Sequence, residues 1–235
     1  MTRAGTGTPD IANLMAIADL FQISVDELLS NEKSEKKQSN YIYESRTEYD
    51  IDGKKNFDIK LGGAYAVDLK AYHGEKIEVA MFSNVYKNLL ADYKVKIDDI
   101  KNRIDIDLNR FNEASEADAK ESLVITIFIP VKYIGKIELS VNAGTLNITD
   151  IENEHIEVNG KISEVTLQGN KSEIEIDSNL DMQISVLSHE GALEINQLSA
   201  TSRLTIPADY RFRSTKKGIA THIYYERTGQ KVDDF

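Results

Sequence analysis

The chain has 235 residues, no cysteine and a formal net charge of −11 at pH 7. The absence of cysteine excludes disulfides, thiolate metal sites and cysteine nucleophiles, and no apolar run approaches the roughly 18 residues that a membrane-spanning helix needs. The charge is uneven, since residues 131–206 carry −7 and residues 207–235 carry +2, so the acidic region 131–206 is expected to repel nucleic acid and anionic membranes.

The N-terminal residues have the pattern of two short helices. Thr8 is a good N-cap, and Pro9 occupies the favoured first helical position. The apolar residues of one helical face follow at Ile11, Leu14, Met15, Ala18 and Phe21. Residues 24–27 (Ser-Val-Asp-Glu) read as a capping box, which predicts a second helix over about 25–29.

This N-terminal stretch resembles the end of a Cro/CI-type (Xre family) helix-turn-helix domain. The resemblance is carried by residues 5–14 (GTGTPDIANL) and 17–29 (IADLFQISVDELL). In that family a Trp-Glu-x-Gly segment follows the recognition helix. Gly5 matches its glycine, whereas Thr2 and Arg3 stand where the Trp and Glu would be.

The recognition helix of that family has no counterpart in this chain. Groove reading needs a helix and several cations, and Arg3 is the only basic residue among residues 1–30. We therefore predict that residues 1–29 are a remnant of the domain, and that DNA would be bound only through a missing upstream helix-turn-helix. In this chain the remnant is either a helical cap or a homodimerisation element. Residues 30–40 contain no apolar side chain, which predicts a polar linker.

From about residue 41 onward the apolar residues alternate with period two, which is typical of β-strands, and residues 41–235 are predicted to form one β domain. The predicted strands contain Phe57/Ile59/Leu61, Val67/Leu69, Ile77/Val79/Met81, Val95/Ile97 and Ile104/Ile106/Leu108. We expect a turn of helix within residues 86–93 and a polar, mobile loop over residues 110–120. Residues 123–129 form a nearly continuous apolar run before Pro130, which predicts a strand buried on both faces.

A unit of one apolar, one polar and one apolar residue then recurs at intervals of 9–11 residues. The copies are Ile137-Glu138-Leu139, Leu146-Asn147-Ile148, Ile156-Glu157-Val158, Val165-Thr166-Leu167, Ile174-Glu175-Ile176, Ile184-Ser185-Val186, Leu193-Glu194-Ile195 and Leu204-Thr205-Ile206. The central residue alternates between Glu and a neutral residue throughout, so the true repeat spans two units, or about 19 residues.

Two arrangements of these units are open. In a β-solenoid, like units stack at about 4.8 Å in two columns, whereas in an antiparallel meander each Glu unit pairs with a neutral one. Stacked like charges disfavour the solenoid, but crisp alternation over only three to five residues favours it over a meander of longer strands. The sequence therefore predicts a mainly β protein, a single-stranded right-handed β-helix or β-solenoid with two-strand coils and a short N-terminal helical stub.

Residues 55–206 resemble a bacterial β-strand-repeat family of unknown function that is often labelled "putative adhesin". The matching features are the short units, the glycines between them and the strand that ends at Ile129-Pro130. The resemblance implies a right-handed β-helix-like fold, and some members carry an N-terminal helix-turn-helix domain. The label is an analogy from fold, so it says little about function.

No residue pattern points to catalysis or to a bound cofactor. The four histidines lie far apart in sequence, so no zinc spacing occurs, and we expect no catalytic, cofactor-binding or metal site. One weak candidate remains, an acidic ladder that would form if the Glu units stack and that could hold Ca²⁺ or a basic partner. Its members are Glu138, Glu157, Glu175 and Glu194.

The repeat ends at Pro207, where aromatic residues become frequent. We predict a cap over residues 208–228, with a strand pair around Lys216-Lys217-Gly218, because a solenoid must cover its last apolar coil. A partner-binding surface is the alternative for this segment. The basic residues Arg211, Arg213, Lys216 and Lys217 could also contact an anionic partner.

The sequence thus favours a non-enzymatic interaction, sensing or oligomerisation module from a helix-turn-helix regulator lineage, with a protein partner or self-association and no named ligand. The alternatives are a cell-surface adhesion-like module and a carbohydrate-active β-helix enzyme. The first residues lack the apolar stretch of a secretory signal, so the sequence favours a cytoplasmic location and no membrane partner.

Overall fold

The structure is a computed structural model, and it describes residues 41–112, 114–217, 222, 224–227 and 230–233. The predicted helical remnant (1–29) and polar linker (30–40) lie outside these residues. The chain divides into two compact units, residues 1–205 and residues 206–235. Each unit is described by itself.

The described part of the first unit is built mainly of strands. The strands are β1 (Tyr43–Asp50), β2 (Lys55–Tyr72), β3 (Lys76–Ser83), β4 (Tyr93–Ile100), β5 (Arg103–Arg110), β6 (Val124–Pro130), β7 (Ile134–Thr149), β8 (Glu152–Gln168), β9 (Asn170–Asp177), β10 (Met182–Val186), β11 (His189–Glu190), β12 (Leu193–Asn196) and β13 (Ser202–Thr205). Two short helices, α1 (Leu89–Asp92) and α2 (Glu116–Ser122), and a 3₁₀ turn at Val131–Tyr133 interrupt them. All thirteen strands belong to one hydrogen-bonded sheet.

The repeated units pair in parallel, and each pairs with its own kind. The Glu units form the series 137–139, 156–158, 174–176 and 193–195. The neutral units form the series 146–148, 165–167, 184–186 and 204–205. The antiparallel meander is therefore wrong for these units, and the two columns inferred from the Glu/neutral alternation are observed.

Two further layers extend both columns, and the sequence analysis did not recognise them as parts of the repeat. In β2, residues 57–59 pair with 137–139 and residues 67–69 pair with 146–148. On its other side β2 pairs in parallel with β5 and β6. The sheet thus contains six layers, and β2 lies between β5/β6 and β7 although it precedes all three in the chain.

Antiparallel strands end the two columns beyond these layers. In the Glu column, β4 and β5 form an antiparallel pair. In the neutral column, β6 pairs with β3 and β3 pairs with β1, both antiparallel. The first third of the sheet is therefore mixed, whereas β7–β13 pair only in parallel among themselves.

The predictions for the segments between strands had different outcomes. The helical turn expected within residues 86–93 is confirmed as α1, and the doubly buried strand expected at 123–129 is confirmed as β6. The mobile loop expected at 110–120 is wrong, because α2 begins there. Ser115 caps this helix by accepting a hydrogen bond from the Asp118 amide at 3.1 Å, and Ala119 is fully buried against the sheet.

The apolar residues of each unit form the core. Ile156 and Val158 are fully buried, as are Leu146 and Leu167 in the neighbouring column. Burial falls in the last layer, where Leu204 is 45% exposed. The layers before it thus contribute most of the hydrophobic stabilisation, which scales with the apolar area removed from water.

Side-chain amides close the corners between the columns. The Asn142 Oδ1 accepts from the Lys161 amide at 3.1 Å, and the Asn179 Oδ1 accepts from the Leu198 amide at 2.9 Å. Asn170, only 1% exposed, accepts from the Ile151 amide and donates to the carbonyl of Ile148. These bonds satisfy backbone groups that the ladder leaves unpaired where the chain bends.

In the second unit, β14 (Tyr224–Arg227) and β15 (Gln230–Asp233) form an antiparallel pair. The strand pair expected around Lys216-Lys217-Gly218 is wrong for the described residues, since 211–217 contain no strand. Tyr224 and Tyr225, with higher β propensity, occupy the strand instead. The capping role of residues 208–228 stays a prediction.

Candidate binding surface

The four predicted glutamates lie on one ladder, and two aspartates extend it. In register order the acidic ladder consists of Asp105, Asp58, Glu138, Glu157, Glu175 and Glu194. Parallel partners are separated by about 4.8 Å across a sheet. Six carboxylates therefore follow one another along a single line of the sheet.

Cations accompany the first part of the acidic ladder. The Arg103 guanidinium donates to both carboxylate oxygens of Asp105, at 2.6 and 3.0 Å, and Lys60 Nζ donates to Asp58 at 2.8 Å. The hydrogen bond to Asp105 raises the pKa of Arg103, and the bond to Asp58 raises the pKa of Lys60. The negative charge of these two layers is thus locally balanced.

The second part of the acidic ladder has amides in place of cations. Glu157 accepts from the Asn159 Nδ2 at 2.7 Å, and Glu175 accepts from the Asn196 Nδ2 at 2.8 Å. Within the described residues, no lysine or arginine lies within ion-pair distance of any of the four glutamates, and the His155 imidazole lies 3.9 Å from Glu175. This part of the face therefore keeps its negative charge.

The acidic ladder does not bring its carboxylates together as a metal site. Among the described residues, no three His, Cys, Asp or Glu side chains are grouped so that they could hold a metal ion. An extended row leaves each carboxylate with its neighbours on two sides only, whereas Ca²⁺ needs six to eight converging oxygens. The calcium hypothesis gains no support from this geometry.

The second column presents a different surface, the neutral ladder. Its members in register order are Thr126, Asp68, Asn147, Thr166, Ser185 and Thr205. Its one carboxylate, Asp68, accepts from the Asn147 Nδ2 at 2.7 Å and from the Thr126 Oγ1 at 3.4 Å. The neutral ladder thus carries a single carboxylate, which is hydrogen-bonded to neighbours on the same ladder.

An open groove of about 580 Å³ lies at the corner that follows the acidic ladder. We call it the amide groove, and it is lined by Asn142, Asn159, Gly160, Lys161, Asp177, Ser178, Asn179, Asn196, Gln197 and Leu198. Five of the ten lining residues are Asn or Gln. Its volume falls in the range of small-molecule sites, but its lining is far more polar than usual.

Some groove side chains are committed to the fold. Asn142 uses both ends of its amide, donating to Glu116 at 2.8 Å and accepting from the Lys161 amide. Gln197 donates to the carbonyl of Leu180 at 2.7 Å and accepts from the Ser202 hydroxyl at 2.8 Å. These residues hold the walls of the groove in place.

Other polar groups in the groove have no partner among the described residues. The three asparagines each form a side-chain hydrogen bond through one end of the amide only, and the Lys161 and Asp177 side chains form none. The groups left over are the Asn159 Oδ1, the Asn196 Oδ1, the Asn179 Nδ2, the Lys161 ammonium and the Asp177 carboxylate. Three acceptors and two donors therefore face one groove without an internal partner.

Gly160 forms part of the groove wall and tolerates no side chain. Its φ is +147°, and a Cβ there would lie 1.7 Å from the carbonyl oxygen of Val141 in the preceding layer. Only glycine has ready access to this region of backbone conformation. The close approach of the two backbones thus sets the shape of the groove.

Glu116 of α2 is the one carboxylate near the groove with a perturbed pKa. The hydrogen bond from Asn142 lowers the pKa of Glu116, and Lys120 and Arg110 lower it further. Arg110 Nη2 and Lys120 Nζ each lie 3.6 Å from its oxygens. The ionised Glu116 therefore anchors α2 to the first corner of the groove.

The amide groove was not predicted from the sequence. A signal existed, since an Asn or Gln follows each Glu unit within a few residues, at Asn142, Asn159, Asn179 and Asn196-Gln197. The spacing is irregular, from two to four residues after the central Glu of the unit, so a search for a fixed period does not reveal it. Only the register shows that these amides share one corner.

Comparisons with known proteins give distant likenesses. No protein-family model and no curated protein matches the chain. Among solved structures, the chain is similar to a "putative cell adhesion protein" from Clostridium sporogenes, with 8% identity and a TM-score of 0.46 over 70% of this chain and all of the other.

Two further solved structures show weaker similarity. A "putative adhesin" from Bacteroides fragilis has 13% identity and a TM-score of 0.27 over 70% of this chain and 96% of the other. A "putative adhesin" from Parabacteroides merdae has 11% identity and a TM-score of 0.26 over 69% and 95%. At these values, the function of this chain has to be argued from its own residues.

The described helices are also short. None of them has the length and apolar character needed to cross a membrane.

Proposed function

We propose that this chain is a non-enzymatic, adhesion-like interaction module built as a right-handed β-solenoid with two-strand coils of about 19 residues. One observation carries the proposal, namely that like units stack in parallel register through six layers and display a continuous polar surface on each column. Flat, repetitive surfaces of this kind are used by solenoid proteins to bind extended partners.

The binding surface of the module is the second part of the acidic ladder together with the amide groove. Like charges opposite one another destabilise a sheet, yet four glutamates are adjacent in register, and none of them has a lysine or arginine at ion-pair distance among the described residues. They are Glu138, Glu157, Glu175 and Glu194. Local rules of stability are broken mostly at functional sites. The neutral ladder, whose one carboxylate is hydrogen-bonded within the ladder, serves as the structural face.

The proposal is tested with particles that carry the whole chain. Fluorescent beads coated with the full-length protein are incubated with a cultured epithelial monolayer and with immobilised mucin. Adhesion above that of albumin-coated beads is expected, and it falls when Glu157 and Glu175 are both replaced by Lys. Equal adhesion of both bead types on every surface, or chemical turnover of the mucin, would contradict the proposal.

The helix-turn-helix regulator lineage rests on residues 5–29 and stays a prediction, as does the cytoplasmic location. Fractionation of cells that carry the native protein separates the two interpretations. Recovery at the cell surface supports the adhesion-like module. Recovery in the cytoplasm with binding to operator DNA supports the regulator lineage instead.

A further inference from the structure

We infer that the amide groove is a binding site for an uncharged carbohydrate chain. The inference rests on the proposed function and names the ligand class of its surface. Its starting observation is the set of unpaired groups already described, with acceptors on Asn159, Asn196 and Asp177 and donors on Asn179 and Lys161.

The mixture of donors and acceptors selects among ligand classes. A sugar hydroxyl donates one hydrogen bond and accepts two, so it needs both kinds of partner close together. Asp177 and Asn159 are adjacent across the ladder between β8 and β9, and Asp177 is likewise paired with Asn196 on β12. Along this line each acceptor repeats at the spacing of the layers, about 4.8 Å, which suits a polymer better than a single small molecule.

Anionic ligands are disfavoured at the same place. Lys161 is the only cation among the residues that line the groove, whereas phosphate and sulfate polymers are bound by several cations. The groove also borders Glu157 and Glu175, whose carboxylates are bonded to groove asparagines. The field of these carboxylates repels polyanions and leaves neutral sugars unaffected.

Apolar ligands are disfavoured as well. Leu198, 74% exposed, is the only large apolar side chain in the lining. It offers one contact for the apolar face of a sugar ring at the end of the row of polar groups. Deep apolar pockets for drug-like ligands are lined mainly by hydrophobic side chains, and this groove is not.

Ser178 provides an independent observation. The residue lines the groove and is only 4% exposed, and its buried Oγ has no hydrogen-bond partner among the described residues. A buried hydroxyl without a partner costs free energy. This unpaired hydroxyl therefore belongs to a residue in the wall of the groove.

The groove is largely preformed, which lowers the cost of binding. Asn142 and Gln197 are held at both ends of their amides, and Gly160 fixes the approach of two backbones. Side chains that are already ordered lose little entropy when a ligand arrives. A weak, multivalent site of this kind is suited to attachment to a repetitive surface.

The test uses the full-length protein and a defined panel of immobilised polysaccharides. Mannan, xylan, β-glucan and galactan represent uncharged chains, heparin represents polyanions, and poly-lysine tests the acidic ladder alone. Binding is measured by biolayer interferometry in 150 mM salt, a condition that suppresses weak surface electrostatics. At least one uncharged polysaccharide is expected to bind, and heparin is expected not to bind.

Variants localise the binding. Lys161→Ala with Asp177→Ala removes two groups that have no internal partner, so the fold is retained and affinity is expected to fall about tenfold or more. The matched control is Lys171→Ala with Glu190→Ala, which removes an exposed ion pair of 3.8 Å between β9 and β11, outside the groove lining. The control is expected to bind within about twofold of the unaltered chain.

The outcomes separate this inference from the proposed function. If no uncharged polysaccharide binds, or if the groove variant and the control bind equally, the carbohydrate site is wrong. Binding of poly-lysine alone, or adhesion of coated beads without polysaccharide binding, would also overturn the carbohydrate site but would leave the interaction module standing. Depolymerisation of a bound polysaccharide would overturn the non-enzymatic function itself.

Discussion

The two parts of the acidic ladder show how the same register can serve different purposes. In β2 and β5 the ladder carboxylates, Asp58 and Asp105, each have a lysine or arginine on the same strand. In β7–β12 the ladder continues with glutamates that are bonded to asparagines or exposed. The aspartates of the first part of the acidic ladder are therefore balanced by cations, whereas the glutamates of the second part form a negatively charged surface.

This difference also follows the strand topology. The balanced part adjoins the antiparallel pair β4–β5, and the charged part consists of parallel layers only. Parallel stacking repeats each side chain at the same place, so any charge is repeated as well. The second part is therefore better suited to form a binding surface, because its parallel register repeats the same side-chain contact in each layer.

The largest expected effect contrasts the middle of the stack with its last layer. Replacing the fully buried Ile156 by Ala should lower the free energy of unfolding by about 2–5 kcal/mol, because a cavity is left in the core. The same change at Leu204, 45% exposed, should cost less than about 1 kcal/mol. Urea unfolding followed by circular dichroism measures both, and equal losses would mean that the last layer is as well packed as the middle.

A second contrast concerns a glycine in close contact with the parallel layers of the charged part and a glycine that lies before β2. Gly160→Ala should cost about 2–3 kcal/mol, because the residue is held at φ +147° against the Val141 carbonyl. Gly53→Ala is the control, since nothing lies within 4 Å of the added Cβ, and it should stay within about 0.5 kcal/mol. Melting temperatures of both variants are compared with the parent, and similar values for the two would refute the close backbone contact.

Charge removal should have opposite signs in the two parts. Glu138→Gln with Glu194→Gln should stabilise the chain by about 0.2–1 kcal/mol at low salt, because repulsion along the ladder is relieved. Asp105→Asn should destabilise it slightly, because Arg103 loses its bidentate partner. Urea titrations at low and at high salt measure both effects. Changes of the same sign in the free energy of unfolding would contradict the proposed difference in charge balance between the two parts of the acidic ladder.

The smallest expected effect is the pH dependence at the corner where the two parts meet. The pKa of Glu116 is lowered in the folded chain, chiefly by the hydrogen bond from Asn142. Its ionised form therefore stabilises the fold above the ordinary glutamate pKa of 4.5, and this contribution is lost as pH falls below that value through the folded pKa. The Glu116→Gln variant should lose less stability than the parent between pH 5 and about pH 3 in thermal melts. An unchanged slope would show that Asn142 does not hold the carboxylate.

The columns of the repeat could be predicted from the sequence because stacking requires identical spacing. The alternation between Glu and neutral residues, as at Glu157 and Thr166, was enough to separate two columns. The layers formed by β2, β5 and β6 could not be predicted, because a helix and two antiparallel strands lie between β2 and β5 along the chain. A repeat period reveals units that follow one another in the sequence. In the sheet, however, β2 lies between β5/β6 and β7, which all come later in the chain.

The amide groove could not be predicted for a related reason. Whether an asparagine such as Asn142 satisfies the backbone or faces a ligand depends on which amide lies one layer away. The helix α2 was likewise missed, since Ala119 gains its burial from the sheet and not from a helical apolar face of its own. Both features are set by tertiary packing, which overrides local preference.

The most direct test of the two-column arrangement uses the absence of cysteine from this chain. Cysteines are placed at Glu157 and Glu175 in one variant, and at Glu157 and Thr166 in another. Cα atoms about 4.8 Å apart, as expected for parallel partners, lie in the range of a disulfide. We predict that mild oxidation removes both free thiols in the Glu157/Glu175 variant and leaves them in the Glu157/Thr166 variant, as counted by mass spectrometry after alkylation. The reverse result would mean that neighbouring units pair with each other, and it would contradict both columns.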